Sequence, residues 1–147
     1  MTTAEFKDFC KTLKTKFDNY YCGRLDGKKN HSLGIYSLRN DCKIPLGGES
    51  NKKTFEESYS LLIHWDNNYN NTEIKARELQ NELQTIQNVK YGNFNINFVR
   101  LSFTEPIDVS SDDKGIFERV IELTVFYNKF AVFASILDKI LVFLFSS

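Results

Sequence analysis

The residues of this 147-residue chain whose chemistry reaches beyond simple charge pairing are two histidines, His31 and His64, and three cysteines, Cys10, Cys22 and Cys42. A zinc centre needs several such ligands at short, convergent spacings, and no two of these five stand in that relation. Cys22 or Cys42 with His31 could form a nucleophile–base pair, because a neutral imidazole can take the proton of a thiol. The competing reading is incidental or buried cysteines in an aromatic-rich chain. Gly47-Gly48 lacks the strand, glycine loop and Lys-Ser/Thr start of a helix that a phosphate loop requires. Lys52-Lys53 reads as a solvated loop. No catalytic, cofactor-binding or metal-binding residue is assigned on these grounds, and an enzyme is not expected.

Composition narrows the partners. Nineteen acidic and nineteen basic residues give a net charge of +0, which leaves no general field to attract nucleic acid or an anionic membrane. Thirteen Phe and seven Tyr favour sheets and packed interfaces. An odd number of widely spaced cysteines suits a reducing compartment with free thiols. Residues 1–21 are polar and amphipathic, so no signal peptide is expected. The sequons Asn30-His31-Ser32 and Asn70-Asn71-Thr72 then read as chance. The length fits one domain with a core that needs no disulfides.

The elements that would position any site centre on residues 115–127. There Phe117, Ile121, Leu123, Val125 and Tyr127 alternate with Glu118, Glu122 and Thr124, the period of a strand with one buried face. Asp112-Asp113-Lys114-Gly115 supplies a turn before it. Upstream, Thr2-Thr3-Ala4-Glu5 has the form of a capping box. Phe6, Phe9, Cys10, Leu13, Phe17 and Tyr20 then recur at helical spacing, predicting a helix to about Asn19. Residues 20–25 and 31–38 read as a hairpin around the turn at 26–30. Pro45, Gly47 and Gly48 mark a bend. Residues 54–65 alternate as a strand, and a second helix starts near Asn71 or Thr72 with an Ala76, Leu79, Leu83, Ile86 stripe that Ile74 lies off. Gly92 ends that helical pattern. Residues 93–103 form a further strand whose apolar phase slips at Phe98–Val99, implying a bulge. Pro106 ends it, and residues 104–114 read as a loop. The expected fold class is α+β: a largely antiparallel twisted sheet of four to five strands flanked by two helices.

Residues 130–145 are almost wholly apolar. As a helix they would span about 24 Å, short of the roughly 30 Å hydrocarbon core of a bilayer, and Asp138 and Lys139 would sit at its centre. On a helical wheel Phe130, Phe133, Ile136, Leu137, Ile140, Leu141 and Leu144 share one side. A small domain has little reason to carry that face unless something covers it. A protein partner or neighbouring subunit is expected rather than a membrane.

Several segments, in their order and spacing, resemble a known family. They are Ser32-Leu33-Gly34-Ile35-Tyr36, the bend at 45–48, Leu61-Leu62-Ile63-His64-Trp65 and Asn71-Thr72-Glu73 with its Ala76-containing helix. Further on come Glu105-Pro106-Ile107-Asp108-Val109 and Gly115-Ile116-Phe117-Glu118-Arg119-Val120-Ile121 with Phe126-Tyr127. Over residues 4–127 the chain resembles the minor capsid or tail terminator proteins of long-tailed bacteriophages. The resemblance implies no catalytic motif, cofactor or sequence-specific nucleic-acid contact. It implies a structural virion protein at the tail–neck junction, assembled in the host cytoplasm. Such a subunit joins a homo-oligomeric ring, typically six-fold, on the head-proximal end of the tail tube. There it ends tube growth and offers a surface to the head connector, with the sheath as a further partner in a contractile tail. A head-completion or connector-adaptor protein, and a small membrane-associated protein, remain alternatives. The resemblance implies a terminator-like domain at 1–129 and an added apolar extension at 130–147. Candidate assembly contacts are Phe130, Phe133, Leu137, Leu141 and Leu144 in the extension. Pro45, Gly47, Gly48, Pro106 and Asp108 are candidates in the loops 41–53 and 104–114.

Overall fold

The alternation centred on residues 115–127 becomes the longest strand of the molecule, and the sheet is built outward from it. The computed structural model describes residues 1–40, 48 and 54–130. In chain order the elements are α1 (Thr3–Cys10), β1 (Asn19–Cys22), β2 (Ser32–Leu38), β3 (Phe55–His64) and α2 (Tyr69–Gln84). They continue with β4 (Gln87–Tyr91), β5 (Phe94–Leu101), β6 (Ile107–Ser111) and β7 (Phe117–Lys129). The strands form one seven-stranded sheet in the order β1-β2-β3-β7-β5-β4, with β6 also pairing β7.

The α+β class holds, but four to five antiparallel strands is an undercount and the sheet is mixed. The two strands missed as elements are β4 and β6. Their sequences, QNVKY and IDVSS, are exposed along almost their whole length, so they carry no apolar period. Backbone pairing to β5 and β7 makes them strands. The expected hairpin at 20–38 is also corrected. β1 runs parallel to β2, with Asn19 opposite Ser32 and Cys22 opposite Ile35. Residues 23–31 therefore carry the chain back along the sheet. Gly23, at φ +71, opens that return.

β7 is held on one side by β3 over its full useful length, from Phe55–Tyr127 to His64–Glu118. Its other side is shared. β5 pairs with it from Lys129 to Leu123, the chain leaves at residues 102–106, and β6 returns to pair at Val120 and Arg119. The predicted bulge exists between Ile96 and Phe98, slightly before the expected position. The side chain of Asn97 donates to Asn128 Oδ1 at 2.8 Å there.

Odd-numbered positions of β3 and β7 point to the core. Leu61, Ile63, Leu123 and Val125 are fully buried with Leu33 and Ile35 of β2, and the same cluster takes Phe6, Phe9 and Cys10 of α1 and Ala76, Leu79 and Leu83 of α2. Both helices thus lie on one face. Phe6 stacks on Tyr59 with ring centroids 4.4 Å apart. The capping box at Thr2 and Glu5 is formed, yet α1 ends at Cys10 rather than near Asn19. Leu13 and Phe17 stay buried without being helical, because Glu82 of α2 accepts the N–H groups of Lys14 at 2.6 Å and Thr15 at 2.7 Å. Those donors serve a tertiary acceptor instead of a further helical turn. α2 starts at Tyr69 with Asn68 as cap, whose side chain accepts from Asn71 N–H at 3.0 Å. It stops well before Gly92, which instead opens the β4–β5 hairpin at φ +57. Ile74 is off the buried stripe and 49% exposed, as its spacing predicts.

Candidate functional site

The one nucleophile–base pair that the described residues allow to be checked is not assembled. Cys22 lies level with Ile35, four strand positions beyond His31, a separation of roughly 13 Å at strand rise. His31 is occupied structurally: its ring stacks on Trp65 at 4.1 Å, and its Nδ1 lies 3.1 Å from Asp18 Oδ2. Burial pushes the Cys10 thiol far up, away from the reactive thiolate. Cys42, the other candidate, lies outside the described residues.

His64 is a more polar centre than the sequence announces. At 1% exposure it closes the end of β3, with Nδ1 3.0 Å from Glu118 Oε2 and Nε2 3.9 Å from Asp112 Oδ2. The register that sets His64 opposite Glu118 is what brings the first pair together. Asp112 anchors the turn into β7, its Oδ1 accepting the N–H groups of Lys114 and Ile116 at 2.9 Å each. Burial works to raise its carboxyl, but the Ile116 and Lys114 donors outweigh it and hold it below its ordinary 3.8. Among the described residues no group of three or more His, Cys, Asp or Glu could hold a metal ion.

On the helical face, Arg119 is buried with its guanidinium 4.8 Å from the Tyr69 ring, 3.7 Å from Asp108 and 4.0 Å from Glu73. Asp108, a candidate contact residue from the sequence, is engaged here. It accepts from Tyr69 O–H at 3.1 Å and from Ser110 N–H at 2.8 Å. The Ser110 donor is the main reason its carboxyl sits below 3.8, with Tyr69 and Arg119 adding to it. The cluster fastens β6 to the start of α2. Pro106, next to β6 in the chain, is buried. The expected loop at 104–114 is therefore strand over 107–111.

Of the other sequence candidates, Gly48 has φ +89 and Phe130 is 42% exposed, with Lys90 over its ring at 5.7 Å. Pro45, Gly47, Phe133, Leu137, Leu141 and Leu144 lie outside the described residues. Sequence reading missed a feature of the other face of the sheet. There Phe98 of β5, 47% exposed, stacks on Phe126 of β7 at 4.5 Å, and Arg100 lies over Phe126 at 5.1 Å. The phase slip was the signal for it, since a bulge turns Phe98 away from the core. A groove of about 600 Å³ separates the return at 24–28 from the turn at 112–114. Arg24, Lys28 and Lys114 balance Asp26, Asp112 and Asp113 along it.

The described residues form a small α+β body whose polar clusters at His64 and Arg119 fasten its elements together. The family model for bacteriophage tail terminator proteins matches residues 7–129, and the chain belongs to that family. No curated protein matches the chain. Membership assigns a structural role in the phage tail, as a virion component that associates with other phage proteins and with copies of itself. No helix among the described residues is long and apolar enough to cross a membrane.

Proposed function

We propose that the protein closes a six-fold homo-oligomeric ring on the head-proximal end of the tail tube, ends tube growth there and presents the docking surface for the head connector. It assembles in the host cytoplasm, with the tube protein, connector proteins and, in a contractile tail, the sheath as partners. The observation that carries this reading is the family match over residues 7–129. Balanced charge agrees with it, because closure of a ring relies on local complementarity rather than a net field.

In this reading residues 1–129 are the terminator body and 130–147 an added apolar extension. Phe130, Phe133, Leu137, Leu141 and Leu144 are its candidate assembly contacts. The bend with Pro45, Gly47 and Gly48, and the segment after Pro106, face neighbours. Native mass spectrometry of the purified full chain, alone and with tail tubes, tests the ring. The expected species has six times the 17.1 kDa of one chain and stops tubes from lengthening. A strict monomer that leaves tube length unlimited would overturn the proposal.

A further inference from the structure

The groove of about 600 Å³ between the return at 24–28 and the turn at 112–114 carries equal formal charges, but its acids and bases are not equally engaged. Asp112 is committed to its own turn: Oδ1 accepts from Lys114 and Ile116 N–H, and Oδ2 faces His64 Nε2 at 3.9 Å. Asp26 Oδ1 accepts from Lys28 N–H at 3.0 Å, and its carbonyl accepts from Lys29 N–H at 3.2 Å. Arg24, Lys28 and Lys114 are exposed. None of the three joins an ion pair with another described residue. Both walls are also held in place. Leu25 lies so close to β2 that a Cβ on Gly34 would stand 3.3 Å from its Cδ1, which seats the return on the sheet. Asp112 ties the opposite wall to the end of β3 through His64. A groove with fixed walls loses little conformational freedom when it is filled.

We propose that this groove binds an extended segment of a partner protein through that segment's carboxylates, which Arg24, Lys28 and Lys114 receive. The planar fork of Arg24 suits a carboxylate taken in bidentate fashion, and the two lysines act as point charges. Tyr21 and Leu25 line the same groove and offer apolar surface to the stems of the bound side chains. The aspartates decide the class of partner. Asp26, Asp112 and Asp113 stay in the groove and repel a continuous ladder of phosphates. An acidic peptide avoids that repulsion by setting neutral or basic residues opposite them. This surface goes beyond the ring reading and does not depend on it.

Fluorescence anisotropy with the full-length protein tests the groove. The probe is a dye-labelled peptide of alternating Glu and Ser, about nine residues long and so about 30 Å when extended. It is compared with a peptide carrying Lys in place of Glu and with a single-stranded oligonucleotide. The Glu peptide should bind about tenfold or more tightly than the Lys peptide, and less tightly as salt rises. Arg24→Glu with Lys28→Glu should weaken it about tenfold or more. Lys90→Glu, on β4 at the far edge of the sheet, should leave it unchanged. Far-UV circular dichroism checks the fold of each variant, and Arg24→Gln with Lys114→Gln takes the place of a double reversal that does not fold. No binding of the Glu peptide, equal binding of the Lys peptide, or an equal loss in Lys90→Glu overturns the proposal. Tighter binding of the oligonucleotide, lost in the Arg24 and Lys28 variants, overturns it too by assigning the groove to phosphates. The mass of the same samples reports on ring closure separately, so a missing ring with peptide binding retained leaves this surface standing.

Discussion

His64 shows how much one side chain can be asked to hold. Its ring is buried at the end of β3 with Glu118 against one nitrogen and Asp112 facing the other, and Nε2 has no hydrogen-bond partner among the described residues. A buried imidazole that satisfies a neighbouring carboxylate is costly to remove, because truncation leaves both a cavity and an unpaired acceptor. His64→Ala should lower unfolding free energy by about 2–4 kcal/mol. Urea denaturation checks this through a shifted midpoint at unchanged slope. Because His64 is buried within one subunit, the oligomeric mass of the folded fraction should not change.

Among the elements, the junction of α1 and α2 carries a pH dependence that can be worked out. Glu82 sits at the end of α2 and accepts two N–H groups from the turn after α1. Burial works to raise its carboxyl, but the Lys14 and Thr15 donors outweigh it, so it lies below its ordinary 4.5. A carboxyl depressed in the folded state contributes stability that is present above its unfolded value and lost as pH falls through its folded value. Thermal unfolding should therefore drop below about pH 4.5. Glu82→Gln should flatten that acid limb while lowering stability at neutral pH by about 1–2 kcal/mol. An acid limb of unchanged steepness would mean other carboxylates carry it.

The bulge in β5 makes a second element-scale test. With Asn97 as the extra residue, Ile96 lies opposite Tyr127, and beyond the shift Phe98 lies opposite Phe126. Deleting Asn97 removes the extra residue and puts Phe98 directly after Ile96, so residues 98–101 keep their faces and their partners on β7. The cost falls on the Asn97–Asn128 hydrogen bond and on the pairing with β4. Val99 and Leu101 pack against the core from this strand. The deletion should therefore still unfold in a single transition, with its midpoint lowered by the lost Asn97 and β4 contacts, and loss of cooperative unfolding would show that the bulge itself holds the strand.

At the scale of the whole molecule, the extension proposed at 130–147 allows folding and assembly to be tested apart. Seven large apolar residues on one helical side, at roughly 1.5–3 kcal/mol each on full burial, represent on the order of 10 kcal/mol before entropy. Leu137→Asp with Leu141→Asp should weaken assembly while residues 1–129 still fold. Far-UV circular dichroism and the mass of the oligomer, measured on one sample, read the two effects apart. A double variant that assembles and caps tubes normally would show the extension to be dispensable.

The sequence by itself determined β3, α2 and β7, because their side-chain periods coincide with the faces they bury. It also carried the family, in the order of short segments from Ser32 to Tyr127, and the bulge, as a break in phase at Phe98. Tertiary structure decided the rest. β4 and β6 have no apolar period, and only a neighbouring strand's free backbone groups make strands of them. α1 is cut short by an acceptor, Glu82, that stands 68 residues from Lys14 in the chain. The return between β1 and β2 runs parallel rather than as a hairpin because Asn19 pairs with Ser32. Asp108 was legible as a residue of interest, but not as a partner of Tyr69 and Arg119. Periodicity reports which face a residue shows, and it is blind to which distant backbone or charge will meet that residue there.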